Sequence, residues 1–321
     1  MKIISFKDIA DLNVQPLMCF DWAEAMIRSK KKALLPPKIS LKPYDGVFCN
    51  VMPSIIPGSD NTKWGGVKVV TRYPNRVPSL ESRILLMNAD SGEFVALMDG
   101  TWITTMRTGA VAAHSIMLLG KKDFATIGIM GLGNVSRSTL LILADKLRDR
   151  EFYVKLLRYK GQEEDFAKRF ASYKNLHFSF VDTAKEMVKG SDVVISGATY
   201  LPNDVCPDEY FDKGVLVQPI HTLGFTNCDL FFDKVFADDL GHVRHFKNFD
   251  KFKQFAEVCD VVNGNKPGRE NDDERILAYN IGVSVHDIYF AVAIYHMMQE
   301  RGILDSLNEI DMNDPTEKFW V

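Results

Sequence analysis

The feature that most constrains this chain is Gly131-Leu132-Gly133-Asn134-Val135-Ser136. It follows the apolar-to-small run 125–130 and opens an amphipathic pattern over 135–148. That context reads as strand, glycine turn, helix. The first glycine permits a tight turn, the second lets backbone approach a pyrophosphate, and a small residue at the third position lets helix and strand pack closely. The helix then presents unpaired N–H groups to phosphate. Gly131, Gly133, Asn134, Val135 and Ser136 are therefore the expected dinucleotide cradle.

The surroundings repeat the same logic. Strands are expected at 152–157, 176–181, 192–197, 215–219 and 234–237, with helices at 162–171 and 183–189 between the first of them. Strands alternating with helices at this spacing make a parallel sheet. The expected fold is α/β, a Rossmann-type doubly wound parallel sheet. Upstream, residues 2–6 read as a strand, Ser5 or Asp8 as a helix cap, and 19–32 as a helix stopped by Pro36-Pro37. Residues 38–100 are β-rich, with a hairpin turning at Ala89-Asp90-Ser91-Gly92, and 102–119 read as a helix. Residues 272–301 read as one long apolar helix interrupted near Gly282, with Asp272-Asp273-Glu274 as an acidic cluster at its start.

The coenzyme type turns on the end of the second strand. A carboxylate there would hold the ribose hydroxyls of NAD, but Arg158 and Lys160 stand in its place. Arginine suits a 2′-phosphate, so NADP is expected, with NAD as the alternative. Net charge is −3, giving no electrostatic case for nucleic acid or an anionic membrane. No apolar run approaches the about 18 residues of a membrane span. Five scattered cysteines, never spaced C-x-x-C, and a charged N-terminus point to a reducing, cytoplasmic setting and to no metal. His242, His245, His286 and His296 find no convincing ligand partners.

Several segments together resemble the ornithine cyclodeaminase/mu-crystallin family. They are Asp45-Gly46-Val47 leading to Met52-Pro53, Gly66-Val67-Lys68-Val69-Val70, Pro78-Ser79-Leu80, and Leu97-Met98-Asp99-Gly100. They continue through Met106-Arg107-Thr108-Gly109-Ala110, then Gly268–Glu274 and Asn280-Ile281-Gly282-Val283. No single piece is specific; their order and spacing are. The resemblance implies a Rossmann domain, residues 120–291, joined to a split α+β substrate and dimerisation domain of residues 1–119 with 292–321. It also implies a homodimer and chemistry at an imine beside a carboxylate.

By the same resemblance, Lys68 and Arg107 hold the substrate carboxylate, Lys68 with a further role as proton donor. Lys38 falls where a third cation is expected, and Met52 belongs to the pocket wall with Leu223 and Phe225. Thr108 matches a pyrophosphate contact, Ala198 and Thr199 the adenosine side, and Asn280, Ile281 and Gly282 the nicotinamide side. Two acidic positions of the cyclodeaminases are replaced here, by Leu223 and Asn50. His221 is a candidate acid/base in their stead, and Glu81 a candidate amine partner. The leading expectation is an NAD(P)-dependent oxidoreductase acting at a C–N bond of a small amino or imino acid. The alternatives are an ammonia-releasing cyclodeaminase with internally recycled NAD, and a crystallin-like protein that binds NADPH and a ligand without turnover.

Overall fold

The computed structural model describes residues 1–58, 62–198, 201, 205–220 and 228–312. An eight-stranded, all-parallel sheet comprises β7 (Thr126–Met130), β8 (Phe152–Leu157), β9 (Leu176–Val181), β10 (Val193–Ser196), β11 (Leu216–Pro219), β12 (Lys234–Ala237), β13 (Phe255–Glu257) and β14 (Ile276–Tyr279). Their order is β13-β12-β14-β11-β10-β7-β8-β9. The chain runs outward from β7 to β9, then returns to lay β10 on the other side of β7, creating a switch point beside the glycine turn. β10, β11, β12 and β14 are buried on every residue. This is why they read as apolar runs rather than alternations. Helices α4 (Asn134–Lys146), α5 (Gln162–Arg169), α6 (Ala184–Val188), α7 (Leu240–Val243) and α8 (Val258–Val262) connect these strands.

A second, six-stranded sheet comprises β1 (Lys2–Ile4), β2 (Ile39–Leu41), β3 (Phe48–Pro57), β4 (Lys63–Arg72), β5 (Leu80–Asn88) and β6 (Phe94–Asp99), ordered β1-β6-β5-β4-β3-β2. β1 runs parallel to β6 and the other neighbours are antiparallel. Ser5 caps α1 (Phe6–Asp11), with Asp8 completing the capping box. α2 (Pro16–Ser29) begins earlier than the pattern suggested, with Pro16 in its first turn. α3 (Thr101–Leu119) and α9 (Ser284–Glu300) complete this half, α9 packing on β3, β4 and β5 and on α2 and α3.

The expected helix over 272–301 is corrected. Ile276–Tyr279 is a strand, inserted between β11 and β12, and α9 starts only at Ser284. A short, wholly apolar run fits a buried strand as well as a buried helix. Gly282, at φ +77, ends it. Asp272, Asp273 and Glu274 consequently stand at no helix N-terminus: Asp273 pairs with Lys213 and Glu274 with Lys234. Among the described residues, no helix is long and apolar enough to cross a membrane.

Candidate active site

The cradle begins at the end of β7. Gly131 adopts φ +75, and a Cβ there would collide with the backbone of Gly197 and Ala198 after β10. Only glycine fits both demands. A Cβ at Gly133 would meet nothing, so the chain there leaves open space beside the first turn of α4. Gly133 caps α4 with no side-chain hydrogen bond, so among the described residues no capping side chain occupies the helix N–H groups, which can face an anion. Ser136 donates to the Gly131 carbonyl at 2.7 Å and tightens the turn. Small residues, open space and unspent donors suit a dinucleotide. Thr108 lies on α3 with its hydroxyl donating to the Thr104 carbonyl at 2.6 Å.

At the end of β8, Arg158 stacks over Phe180, 5.3 Å from the ring centroid. Its Nη1 and Nε lie 3.2 Å from Glu163 and Asp182 respectively. Glu163 also accepts the Tyr159 N–H at 3.2 Å, so its buried carboxylate braces the whole turn. Arg137 is paired with Asp165 at 2.6 Å.

A second cluster forms where the two halves meet. In β4 the inner face alternates Gly66, Lys68, Val70, which sends the Lys68 side chain inward, cross-strand from Met52. Lys68 is 1% exposed and Arg107, on α3, is 4% exposed. Two buried cations demand a buried anion. Asp287, fully buried in the first turn of α9, is that anion. Its Oδ1 accepts from Arg107 Nε at 2.8 Å, and its Oδ2 lies 2.7 Å from Lys68 Nζ in an ionic contact. Among the described residues Arg107 Nη1 and Nη2 have no hydrogen-bond partner; they lie against Gly282, where a Cβ would come within 2.5 and 2.8 Å of them. Burial, then the adjoining Arg107 charge, pushes the Lys68 ammonium down to about 7, with Asp287 opposing the shift. A buried cation titrating there can both neutralise a carboxylate and deliver a proton.

Lys38 joins the same cluster. Its ammonium donates to the Ile281 carbonyl at 3.3 Å, and its backbone N–H to His242 Nε2 at 3.2 Å. Burial pushes the Lys38 side chain down to about 8. His242 Nδ1 is held by Asp239 at 2.6 Å, and Asp239 pairs in turn with buried Lys30. Asp238, fully buried, accepts the Gly282 N–H at 2.9 Å, and burial raises its carboxyl. Lys38, Lys68, Arg107, Met52, Ile281 and Gly282, drawn from distant parts of the chain, are thus neighbours.

Other expectations fare differently. Glu81 pairs with Arg76 and Arg83 at 3.0 and 2.5 Å, which removes it from the Lys68 cluster. It points outward because residues beside Ser82 lie on the opposite face of β5. Asn50 leaves Oδ1 buried without a hydrogen-bond partner among the described residues. His221, Leu223, Phe225 and Thr199 lie outside the described residues. Asp287 was not singled out from sequence. The signal was there: a lone acid on the inward side of an otherwise apolar helix, just past Gly282.

An all-parallel sheet with a glycine turn at its switch point defines a Rossmann-type dinucleotide-binding protein. The model of the ornithine cyclodeaminase/mu-crystallin family matches residues 4–302, and the chain belongs to that family. It is 26% identical over 295 residues to N-((2S)-2-amino-2-carboxyethyl)-L-glutamate dehydrogenase of Staphylococcus aureus, covering 85% of this chain and 87% of the relative. Among solved structures it resembles Thermococcus litoralis Delta(1)-pyrroline-2-carboxylate reductase in complex with NADH and L-proline. The TM-score is 0.80 at 22% identity, over 97% of this chain and all (100%) of that one. An archaeal alanine dehydrogenase dimer with bound NAD superposes with a TM-score of 0.83 at 20% identity, over 97% and 99% of the two chains.

Proposed function

We propose that this protein is an NAD(P)-dependent oxidoreductase acting on the C–N bond of a small amino or imino acid, with imine or ketimine reduction as the working direction. The observation that carries it is the buried Lys68–Asp287–Arg107 cluster, in which the Arg107 Nη groups have no hydrogen-bond partner among the described residues. Gly131, Gly133, Asn134, Val135 and Ser136 hold the pyrophosphate, with Thr108 beside it and Ala198 and Thr199 on the adenosine side. Ile281 and Gly282 flank the nicotinamide. When bound, the coenzyme supplies the hydride that converts C=N to C–N, or takes it in reverse. Arg107 grips the α-carboxylate through Nη1 and Nη2. Lys68 offsets the remaining carboxylate charge, and its ammonium gives the proton that the product nitrogen gains. Lys38 adds a third cation to the substrate side, Met52 an apolar wall, and His221 a second acid/base.

Arg158 selects NADPH over NADH. Residues 1–119 with 292–321 make the substrate half and the contact of a homodimer, extended to the whole of α9 because that helix straddles residue 291 and packs on β3, β4 and β5; the segment from 120 to the end of β14 makes the dinucleotide half. The archaeal alanine dehydrogenase dimer supports the homodimer. The replaced acidic positions, Leu223 and Asn50, weigh against cyclodeamination. The test is the absorbance of reduced coenzyme with purified protein and a panel of cyclic imino acids, ammonia from L-ornithine being followed separately. Stoichiometric NADPH consumption is expected; ammonia released with no net coenzyme change would sink the reductase reading.

A further inference from the structure

Asp287 is unusual among the charged groups of this cluster. Among the described residues it is the single carboxylate that touches both Lys68 and Arg107, and it does so with one oxygen each. It sits in the first turn of α9, where the helix dipole favours an anion. It takes Arg107 by Nε and leaves the Nη edge open, the edge that grips a carboxylate in a bidentate pair. Gly282, on the same segment, admits the guanidinium against bare backbone. The stretch 282–287 therefore fixes Arg107 from two sides and Lys68 from one.

We propose that Asp287 is the positioning residue of the substrate clamp: its Oδ1 aims the Nη edge of Arg107 at the substrate carboxylate, and its Oδ2 keeps Lys68 charged as the proton donor. The proposal rests on the reading of Lys68 and Arg107 as that clamp. Around Lys68 the charged groups are Arg107 from α3, Asp287 from α9 and Lys38 from the segment before β2. Asp238 faces Lys38, and His286 faces Arg107, where it stays neutral because burial holds it well below its usual range. Asp287 is the only one of these that favours the Lys68 proton.

Two variants separate its tasks. Asp287→Asn keeps an oxygen for Arg107 Nε and removes the charge. It is expected to lower kcat about tenfold at neutral pH without raising KM, and to move the alkaline limb of the rate profile down by about one pH unit. Asp287→Ala removes the hold on Arg107 too and is expected to raise KM as well. NADPH affinity, read by coenzyme fluorescence, should stay within about twofold in both, which also reports that each variant is folded. A purely structural role would move neither the limb nor the split between kcat and KM. If Asp287→Asn does not fold, Asp287→Glu decides. With the charge kept, the limb should stay and KM should rise; a limb that moves, or no change at all, overturns the proposal. An active wild type with an unaltered Asp287→Asn overturns this proposal alone. A wild type that neither reduces imino acids nor binds pyrrole-2-carboxylate overturns the clamp and this proposal together.

Discussion

The two halves of the site are built by opposite means. The cradle at the end of β7 works by subtraction: Gly131 and Gly133 withhold side chains, and α4 starts with no side-chain cap on its first N–H groups. The clamp between β4, α3 and α9 works by accumulation, packing Lys68, Arg107 and Asp287 into space almost closed to water. A backbone cradle needs no counter-charge and is specified within six adjacent residues. A buried ionic cluster needs each charge answered, and its members come from positions 68, 107 and 287. Damage to the first should be steric and local; damage to the second should be electrostatic and shared.

The largest effect is expected at Arg107. Arg107→Ala removes the bidentate grip and leaves Asp287 with Lys68 alone. We expect kcat/KM for the imino acid to fall about 1000-fold with coenzyme affinity unchanged, measured by steady-state kinetics and fluorescence titration. Loss of coenzyme binding in that variant would erase the distinction between the halves. Next is Lys68→Met, expected to lower kcat about 100-fold and to abolish the pH limb. The sign follows from the donor role. Lys68 titrates near 7 because burial disfavours its charge, so the donor form is present below that pH and reduction slows as pH rises through it. A limb that persists without Lys68 assigns the proton to another group.

The contrast also explains what was legible beforehand. The parallel sheet, the cradle and β8 stand out because each depends on near neighbours in sequence: strand, turn, helix. Lys68 and Arg107 stood out only through the family resemblance, since a lone cation carries no local sign that it will be buried. Asp287 went unread because it falls inside the span that reads as one long helix over 272–301, and nothing nearby in sequence shows that two distant cations converge on it. The same distance effect hid β14. Its four apolar residues become a strand only because β11 and β12 flank them. The acidic cluster Asp272–Glu274 was misplaced for the same reason, since its role depends on where the next helix begins.

Two further effects sharpen the cradle side. Gly131→Ala puts a Cβ into the backbone after β10 at a positive φ, and should weaken coenzyme binding about 100-fold in fluorescence titration. Pyrrole-2-carboxylate, a planar analogue of a cyclic imino acid, should still bind. Arg158→Ala should reduce the NADPH-over-NADH preference about tenfold, read as the ratio of kcat/KM values. An unchanged ratio there would mean that Glu163 and Asp182 already consume the Arg158 charge.

The most direct test of the clamp is a crystal structure of the ternary complex with reduced coenzyme and pyrrole-2-carboxylate. The carboxylate should lie on Arg107 Nη1 and Nη2 and within reach of Lys68 Nζ, with Asp287 still on Arg107 Nε. A carboxylate seated elsewhere, with the Lys68–Asp287–Arg107 cluster closed behind it, would make that cluster a piece of the core and contradict the substrate site drawn from it.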